Sequence, residues 1–430
     1  MFELINILYL YLSVLIILAF PISRKLTNFR FDNNKNIFDI FLLNSIFLTY
    51  IFLICSFFIF SQQKIFFILM ILSLAKIFVI SKSFQIKKIN LSHVIFFLIS
   101  LSIVISIAYT PTLMWDGLAH WLFKTKVFFN NESVQKLHEL PFSYYPHLGA
   151  YIWAFFWKNS FFDAEYTGRI YLVIIYIISI FSLLSIFKKN FGVYKKIFFI
   201  ILFIFLTKDF SLFGGYQEYF IFVYLLLCSK TALEILYNQE KYFSFNFFIF
   251  LFSSFLLVFF KQEGLVYFII INSLLLIFIK DSYTHKFFHF ILIVILFVLN
   301  IYIKQFFSGN FAMNEIKVNF LLNFSFSDFL TIALFTFKHY LISIIKYPIN
   351  IVIILIFFIS LKNRSRITNF YLTYFVVSFL LINAIFQTYP GPIFNDIPLI
   401  IDRLILQMTG FYLPYLVFVL NNQFIREKNL

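Results

Sequence analysis

Long apolar runs separated by short polar breaks dominate the pattern along this chain of 430 residues. A helix of about 17 to 25 apolar residues can cross the hydrocarbon core of a membrane. Thirteen runs of this kind are recognised, near residues 4–21, 38–60, 64–81, 93–110, 166–187, 197–213, 219–237, 245–260, 264–279, 287–306, 347–361, 368–388 and 404–420. The pattern therefore predicts an all-α fold, a polytopic transmembrane helical bundle of about 13 spans.

The polar interval 111–165 is longer than a simple connection between spans. It contains an amphipathic segment, Leu118 to Phe129, and an apolar segment, Leu148 to Trp157, that is too short to span comfortably. We expect interfacial or partly re-entrant helices in this first large loop.

A second long interval, 307–346, contains the apolar stretch Asp328 to Ile345, which Lys338 and His339 interrupt. If this stretch crossed the membrane, every later span would invert. The basic loop 362–366 argues against that inversion, because basic loops are retained in the cytoplasm.

The distribution of Lys and Arg orients the predicted bundle. Alternate intervals on one side hold nineteen of these residues, and those on the other side hold ten, seven of them in the two long intervals where the charge rule is weak. The amino terminus is therefore predicted outside and the carboxyl terminus in the cytoplasm. Twelve of the nineteen acidic residues fall on the non-cytoplasmic side, and insertion does not explain this because Asp and Glu hardly influence it.

Composition narrows the class of protein further. With 62% hydrophobic and 12% charged residues, the chain is far more apolar than a soluble domain. The net charge of +15 is dispersed between apolar segments with no basic arm, which excludes a nucleic-acid partner. Cys55 and Cys228 both lie in apolar runs, so neither a disulfide framework nor a cysteine metal site is indicated. The start lacks a cleavable signal sequence, and we expect the first helix to be retained.

Asp116 begins the candidate chemistry, because it follows an apolar run at the predicted external face. On a helix, Asp116, His120 and Lys124 would share one wall. An aspartate at such a boundary can accept a proton from, or orient, a substrate hydroxyl. Capping of a juxtamembrane helix is an equally common use of aspartate and stays open as the alternative.

Three further polar groups are predicted at the same face. Glu218 follows a glycine pair, Lys261 and Glu263 lie between two apolar runs with almost no loop, and Asp402 and Arg403 open the last span. Charges so close to the hydrocarbon are costly unless they are paired or solvated, and an arginine fork suits phosphate. A self-paired Lys261–Glu263 hairpin and a structural Asp402–Arg403 pair are the simpler alternatives.

In order along residues 93–420, these segments resemble the GT-C superfamily of polytopic membrane glycosyltransferases, in its family 39-like branch of protein mannosyltransferases and aminoarabinose transferases. The resemblance is carried by Trp115-Asp116-Gly117, Tyr145-Pro146-His147-Leu148, Arg169, Gly215-Tyr216-Gln217-Glu218, Lys261-Gln262-Glu263-Gly264 and Asp402-Arg403-Leu404-Ile405-Leu406-Gln407. The chain departs from the better-known members at two places. It has Asp116-Gly117 where they have a pair of acidic residues, and it has Tyr145-Pro146-His147 where they have two prolines.

The resemblance implies that a sugar passes from a polyprenyl-phosphate donor to an envelope glycan, lipid or protein acceptor on the non-cytoplasmic face, with inversion. It implies that Asp116 is the catalytic residue, either as the base or as the group that orients the acceptor. The substrate-binding residues would be His120, Lys124, His147, Arg169, Glu218, Lys261, Glu263, Asp402 and Arg403. Residues 1–90 would be accessory helices, 91–420 the catalytic module and 421–430 a cytoplasmic tail, in a bacterial inner membrane with the active site on the periplasmic face.

Two other classes of function fit the same pattern. A transporter or lipid flippase would line a path near the membrane midplane with charged residues, and a structural envelope protein would carry the acids incidentally. No organic cofactor is predicted, and the use of a divalent metal stays open. Only His285 and His289 have ligand-like spacing, and we interpret them as a solvated cytoplasmic helix face.

Overall fold

The computed structural model describes residues 2–20, 36–82, 90–110, 112–140, 143, 145–188, 191–308, 326–361, 364–387 and 393–426. All regular structure within these residues is helical. The α-helices are α1 (Phe2–Leu18), α2 (Ile37–Phe57), α3 (Gln62–Lys82), α4 (Leu91–Tyr109), α5 (Leu122–Phe129), α6 (Leu148–Lys158), α7 (Ile170–Ser182), α8 (Val193–Thr207), α9 (Glu218–Asn238), α10 (Phe245–Phe260), α11 (Glu263–Phe278), α12 (Tyr283–Ser308), α13 (Phe326–Lys346), α14 (Pro348–Leu361), α15 (Arg366–Gln387) and α16 (Ile393–Arg426). A π-helical turn, Gly117–Trp121, and the 3-10 helices Val134–Glu139, Glu165–Arg169, Leu183–Ser185 and Phe210–Phe213 connect them.

Nine helical segments of the described chain are long and apolar enough to cross a membrane. They are Ile37–Phe57, Gln62–Val79, Leu91–Tyr109, Glu165–Ser185, Glu218–Asn238, Tyr283–Gln305, Phe329–Lys346, Arg366–Ala384 and Asp396–Asn421. Helices α1, α10, α11 and α14 are apolar but shorter. The prediction of a helical membrane protein is thus supported, whereas the number of about 13 spans stays a prediction.

The predicted span 197–213 is interrupted in the structure. Helix α8 has 15 residues and ends at Thr207, and a separate 3-10 helix follows it. At 1.5 Å per residue, α8 is about 23 Å long, which is less than the roughly 30 Å of a hydrocarbon core. Lys208 and Asp209 explain the break, because neither side chain is compatible with a continuous apolar span.

Helix α9 is the central element of the bundle. Every residue of its apolar stretch is buried, whereas only 11% of the stretch in α12 is buried. Gly410 of α16 allows close approach to α9, since a Cβ atom there would lie 2.4 Å from the carbonyl oxygen of Phe222. This contact brings the beginning of α9 and the adjacent part of α16 together.

Helix α6, for which an interfacial or partly re-entrant position is predicted, is buried by other helices of the protein. All nine residues from Leu148 to Phe156 are buried. Phe155 packs on Phe52 of α2 with ring centroids 4.8 Å apart, and Phe156 stacks on Tyr171 of α7 at 5.0 Å. Packing among other helices buries every side of a short helix that is apolar all round.

Helices α15 and α16 are antiparallel neighbours. Tyr371 stacks on Tyr415 with ring centroids 4.5 Å apart, and Tyr374 stacks on Phe411 at 4.0 Å. Residue numbers therefore rise in α15 as they fall in α16, and the end of α15 lies level with the first turns of α16.

Helix α13 packs along α15, where Phe337 and Tyr340 contact Phe379 with ring centroids 6.0 and 4.9 Å apart. At its beginning, the carbonyl of Phe329 accepts a hydrogen bond of 3.1 Å from Gln387 at the end of α15. At its end, Lys346 forms an ion pair with Asp402 in α16. Between these ends, Tyr340 also contacts Phe375, which precedes Gln387 by twelve residues, so α13 follows α15 for about 18 Å. The segment Phe329–Lys346 is long and apolar enough to span, so the surface position of Asp328–Ile345 stays a prediction.

Candidate functional site

Close packing between glycines fixes the position of the Asp116 segment. The amide of Met114 donates a hydrogen bond of 2.9 Å to the carbonyl of Gly214. A Cβ atom at Gly117 would lie 2.4 Å from that carbonyl oxygen, and Gly215 has a φ of 97°, which favours glycine. These contacts hold Asp116 against the loop that leads into α9.

Asp116 pairs with an arginine and does not cap a helix. Its backbone is helical, with φ −61° and ψ −38°, and its side chain makes no capping hydrogen bond. One carboxylate oxygen instead accepts from the guanidinium of Arg403. The capping alternative is therefore wrong, and the carboxylate, whose side chain is 16% exposed, is joined to α16.

Five of the predicted site residues form one network of ion pairs, which we call the charge cluster: Asp116, Glu218, Lys261, Glu263 and Arg403. Lys261 Nζ lies 2.8 Å from Glu218 Oε1 and 3.4 Å from Glu263 Oε1. Arg403 Nη1 lies 3.5 Å from Glu218 Oε1 and also contacts Asp116. Three carboxylates and two cations give the cluster a formal charge of −1, and each ion pair in it except Lys261–Glu263 joins separate helices or loops.

Burial makes these pairs interdependent. The side chain of Glu218 is fully buried and that of Lys261 is 6% exposed. Burial works to lower the pKa of Lys261, but the carboxylates of Glu218 and Glu263 outweigh it and hold that pKa above its ordinary value. Lys261 is therefore an ammonium group that contacts two carboxylates. The simpler alternative of a hairpin paired only with itself is wrong, since the closest partner of Lys261 is in α9.

Arg403 and Asp402 are adjacent in sequence but contact different parts of the protein. The guanidinium of Arg403 faces the charge cluster and lies 5.2 Å from the ring centroid of Tyr216, which is a cation–π contact. Asp402 accepts hydrogen bonds from Ser343 and Lys346 of α13. The alternative of a structural Asp402–Arg403 pair is wrong, and Asp402 lies outside the cluster.

Several buried polar atoms at the cluster have no hydrogen-bond partner among the described residues. These are Oε2 of Glu218, Oε2 of Glu263, and both amide atoms of Gln407. Gln407 is fully buried and lies one helical turn after Arg403, so the two side chains share a face of α16. Buried polar groups normally have partners, so these atoms retain the capacity to bond a polar ligand or water. Sequence reasoning did not give Gln407 a role, although an amide four residues from an arginine inside an apolar run is a usable signal.

His120 borders the cluster, whereas Lys124 lies behind it. The His120 ring stacks on Tyr145 with centroids 5.5 Å apart and contacts Trp115 edge-on at 5.1 Å. Burial lowers the pKa of His120, and although Asp116 opposes this, nearby cations reinforce it, so the imidazole is neutral at pH 7. Lys124 is fully buried and donates a hydrogen bond of 2.7 Å to the carbonyl of Tyr145. The predicted wall of three side chains is therefore divided by Tyr145.

Two other predicted substrate-binding residues have structural partners away from the cluster. Arg169 pairs with Glu165 at 3.0 Å and donates a hydrogen bond of 2.8 Å to the carbonyl of Phe213, which fixes the entry into α7. Nε2 of His147 lies 2.8 Å from the hydroxyl of Ser56 in α2.

The histidine pair on α12 also differs from its interpretation as a solvated face. His285 is partly exposed and bonds to Asp281 at 2.9 Å, but His289 is fully buried and lies 3.3 Å from both Tyr242 and Asn272. In the part of the chain that the structure describes, no group of three or more His, Cys, Asp or Glu side chains is arranged to hold a metal ion.

Comparisons of the chain with models of protein families, with curated proteins and with solved structures find no match. The interpretation of the site therefore rests on its own chemistry. The cluster offers two cations for an anionic group, two partly exposed carboxylates, Asp116 and Glu263, and a fully buried one, Glu218, that anchors both cations.

Proposed function

We propose that this protein is a multi-pass membrane glycosyltransferase of GT-C type, which transfers a sugar from a polyprenyl-phosphate donor to an envelope glycan, lipid or protein acceptor. The observation that carries the proposal is the charge cluster, because it joins two cations of a kind that suits phosphate and a partly exposed carboxylate, Asp116, in one network. Unpartnered polar atoms of Glu218, Glu263 and Gln407 leave hydrogen-bonding capacity for sugar hydroxyls.

The cations would bind the phosphate of the donor. Arg403 provides a planar fork for two phosphate oxygens, and Lys261 adds a second positive charge within the same network. Phosphate at Arg403 would compete with Asp116 for the guanidinium. Donor binding would thereby release the Asp116 carboxylate towards the acceptor.

The transfer would then be a single displacement. The acceptor hydroxyl oxygen attacks the anomeric carbon and its proton passes to Asp116. The bond between that carbon and the phosphate oxygen breaks, and polyprenyl phosphate leaves with the electron pair, so the configuration inverts. Arg403 and Lys261 stabilise the negative charge that grows on the leaving phosphate, and the fixed positions of both substrates lower the entropic part of the barrier.

The predicted orientation places this chemistry outside the cytoplasm. The excess of Lys and Arg in alternate short loops favours an orientation with the cluster on the external face. In a bacterial inner membrane this is the periplasmic face, where a lipid-linked sugar reaches the cluster by diffusion within the bilayer.

The test is transfer of labelled sugar from a panel of polyprenyl-phosphate sugars to envelope acceptors, with the full chain in proteoliposomes. Asp116→Asn is expected to lower turnover by about 10²- to 10⁴-fold, the usual contribution of a general base, while donor binding persists. Glu132→Gln is the matched control, because Glu132 is an exposed carboxylate of the same loop. Equal turnover by Asp116→Asn and wild type would overturn the assignment of the base.

A second candidate, a transporter or lipid flippase, is favoured by an ion pair deeper in the bundle. Lys230 Nζ lies 2.5 Å from Asp39 Oδ1 and 2.7 Å from the hydroxyl of Ser185, and all three side chains are buried. Lys230 follows Glu218 by twelve residues in α9, or about 18 Å along the axis. Charges at this depth are typical of translocation paths.

The same vesicles discriminate between the two candidates. Flux of lipid or solute that Lys230→Met abolishes, without sugar transfer by the wild type, would favour the transporter. Sugar transfer that survives Lys230→Met in folded protein would assign the Lys230–Asp39 pair a structural role.

A further inference from the structure

Tyr216 lies at the edge of the charge cluster, between the glycine turn and the first residues of α9. The guanidinium carbon of Arg403 lies over its ring, 5.2 Å from the centroid, and the Tyr216 side chain is partly exposed. Tyr216 is not among the substrate-binding residues that the sequence predicts, although it lies in the segment Gly215-Tyr216-Gln217-Glu218. Its contact with a cation of the cluster has no role in the function proposed above.

The loop backbone fixes where Tyr216 lies relative to Asp116. A Cβ atom at Gly215, whose φ is 97°, would lie 3.0 Å from the Cα atom of Gly117 and 2.8 Å from the ring of Trp153. The loop before α9 is therefore packed tightly against the Asp116 segment on one side and α6 on the other. A shift of Tyr216 would displace the Asp116 segment as well.

The phenol ring of Tyr216 is neutral at physiological pH. Burial raises the pKa of its hydroxyl, and the Asp116 carboxylate adds to this, although Arg403 opposes it. A neutral phenol keeps the negative face of its π system, which attracts a cation. The ring can therefore attract Arg403 over the whole physiological pH range.

Arg403 makes both of its ion pairs through one nitrogen. Nη1 contacts Asp116 and lies 3.5 Å from Glu218 Oε1, so Nη2 and Nε donate no hydrogen bond within the part of the chain that the structure describes. The side chain of Arg403 is 21% exposed, whereas that of Lys261 is 6% exposed. Of the two cations in the cluster, Arg403 is therefore the one that an anion can reach from outside.

The two kinds of contact at Arg403 do not compete with each other. A cation–π contact is an attraction between a charge and a ring face, and it uses no N–H donor. Carboxylates and phosphates are instead bound through the N–H fork. The ring can therefore hold the guanidinium while the fork changes its partner. Without the ring, the long side chain would have to be ordered when an anion binds, at a cost in rotamer entropy.

We propose that Tyr216 is a positioning residue, whose ring holds Arg403 in place while the guanidinium passes from the Asp116 carboxylate to an anionic ligand. Tyr216 acts through Arg403 and needs no contact with the ligand. The inference rests on the proposed function only for the identity of the anion, which is then the phosphate of the donor. It makes anion binding depend on a residue outside the charge cluster.

The test measures binding of a polyprenyl phosphate without sugar, and of inorganic phosphate, to the purified full chain by thermal stabilisation and native mass spectrometry. Tyr216→Leu removes the ring and is expected to weaken binding by about three- to tenfold, the usual cost of ordering one long side chain. The same ratio is expected for both probes, because the ring acts on Arg403. Tyr216→Phe keeps the ring and should bind nearly as tightly as the wild type. Tyr109→Leu is the matched control, because Tyr109 is 79% exposed.

Two further comparisons separate positioning from packing. In an Arg403→Gln background, Tyr216→Leu should weaken binding no further, since the ring then has no cation to hold. The Tyr216→Phe variant with one, two or three fluorines on its ring loses negative charge from the ring face but keeps nearly the same shape. The affinity should therefore fall stepwise along this series, whereas a residue that only packs would leave it unchanged.

Each alternative outcome has a defined meaning. Equal affinity of the wild type and Tyr216→Leu would overturn the inference, and so would a loss that persists unchanged in the Arg403→Gln background. If Tyr216→Leu fails to fold, the fluorinated series decides, because it preserves the shape of the ring. Failure of the wild type to bind either probe would overturn the binding of anions by Arg403, and the role of Tyr216 with it.

Failure of the proposed function would give a different result. No sugar is transferred in the binding experiment, so binding can depend on Tyr216 even if the wild type shows no turnover in the Asp116→Asn comparison. That combination would refute the transferase and leave the positioning role of Tyr216 standing.

Discussion

The Lys261–Glu218 pair offers the sharpest test of the charge cluster, because it can be broken from one side or removed as a whole. Lys261→Met removes a cation and changes the formal charge of the cluster from −1 to −2. Breaking one partner of a buried pair typically costs about 3–5 kcal/mol, because the remaining charge is buried without compensation. At 25 °C this changes the folded-to-unfolded ratio by roughly two to four powers of ten.

The double substitution Lys261→Met with Glu218→Gln restores the charge of −1 and is expected to be more stable than Lys261→Met alone. Residues in direct contact usually have coupling energies of about 0.5–3 kcal/mol, and the distance of 2.8 Å with almost no exposure places this pair at the upper end. Arg403 keeps its pair with Asp116 in every variant. Its contact with Glu218 at 3.5 Å is lost in both proteins that carry Glu218→Gln, so this loss cancels in the coupling energy.

The assay is denaturant unfolding of the four proteins in one detergent, followed by tryptophan fluorescence. The control cycle uses Lys136→Met and Glu139→Gln, a pair at 2.9 Å whose side chains are 52% and 68% exposed. Exposed pairs contribute about 0.2–1 kcal/mol, so the control coupling should be several times smaller. If the double variant is destabilised by the sum of the two single effects, Lys261 and Glu218 do not form a coupled pair and the reasoning fails.

Three further outcomes follow from single positions. Gly117→Ala would place Cβ 2.4 Å from the carbonyl oxygen of Gly214 and displace the Asp116 segment; sugar transfer should fall at least tenfold, with a loss of unfolding free energy of about 1–3 kcal/mol. Gly410→Ala would place a Cβ atom equally close to the carbonyl oxygen of Phe222 and would push α16 away from α9. It should lower the unfolding free energy by a similar amount. An unchanged unfolding free energy would contradict the close packing of these two helices. Lys124 has a pKa of about 7 in the folded protein and about 10.4 when unfolded, so the unfolded chain binds more protons between those values. Relative to Lys124→Met, the unfolding free energy of the wild type should therefore rise from about pH 7 to pH 10 by up to about 1.4 kcal/mol per pH unit. If the difference in unfolding free energy between the two proteins does not change with pH, the burial of this amine is refuted.

Much of the helical structure was predictable because an apolar chain in a membrane must satisfy its backbone hydrogen bonds internally. The run predicted at 245–260 coincides with α10, and the run at 219–237 differs from α9 by one residue at each end. Packing was less predictable. A segment that is apolar on all sides gives the same pattern whether it faces lipid or protein, so the burial of α6 by other helices was not predictable.

The composition of the charge cluster was predictable for a related reason. Charges that interrupt apolar runs must lie at the membrane boundary, and the Lys and Arg distribution assigns Asp116, Glu218, Lys261, Glu263 and Arg403 to one boundary. The partners were not predictable, because Asp116 and Arg403 are 287 positions apart. Topology restricts which end of the bundle a residue occupies but leaves open which of its neighbours it contacts.

The orientation of side chains around a helix explains the predicted residues that lie elsewhere. Successive residues of an α-helix point about 100° apart, so Arg403 can reach Asp116 while Asp402 reaches Lys346 on α13. Two charges that the sequence presents as one motif therefore have different partners. The sequence predicts which charges share one end of the bundle, but only the rotation of each helix decides which of them come into contact.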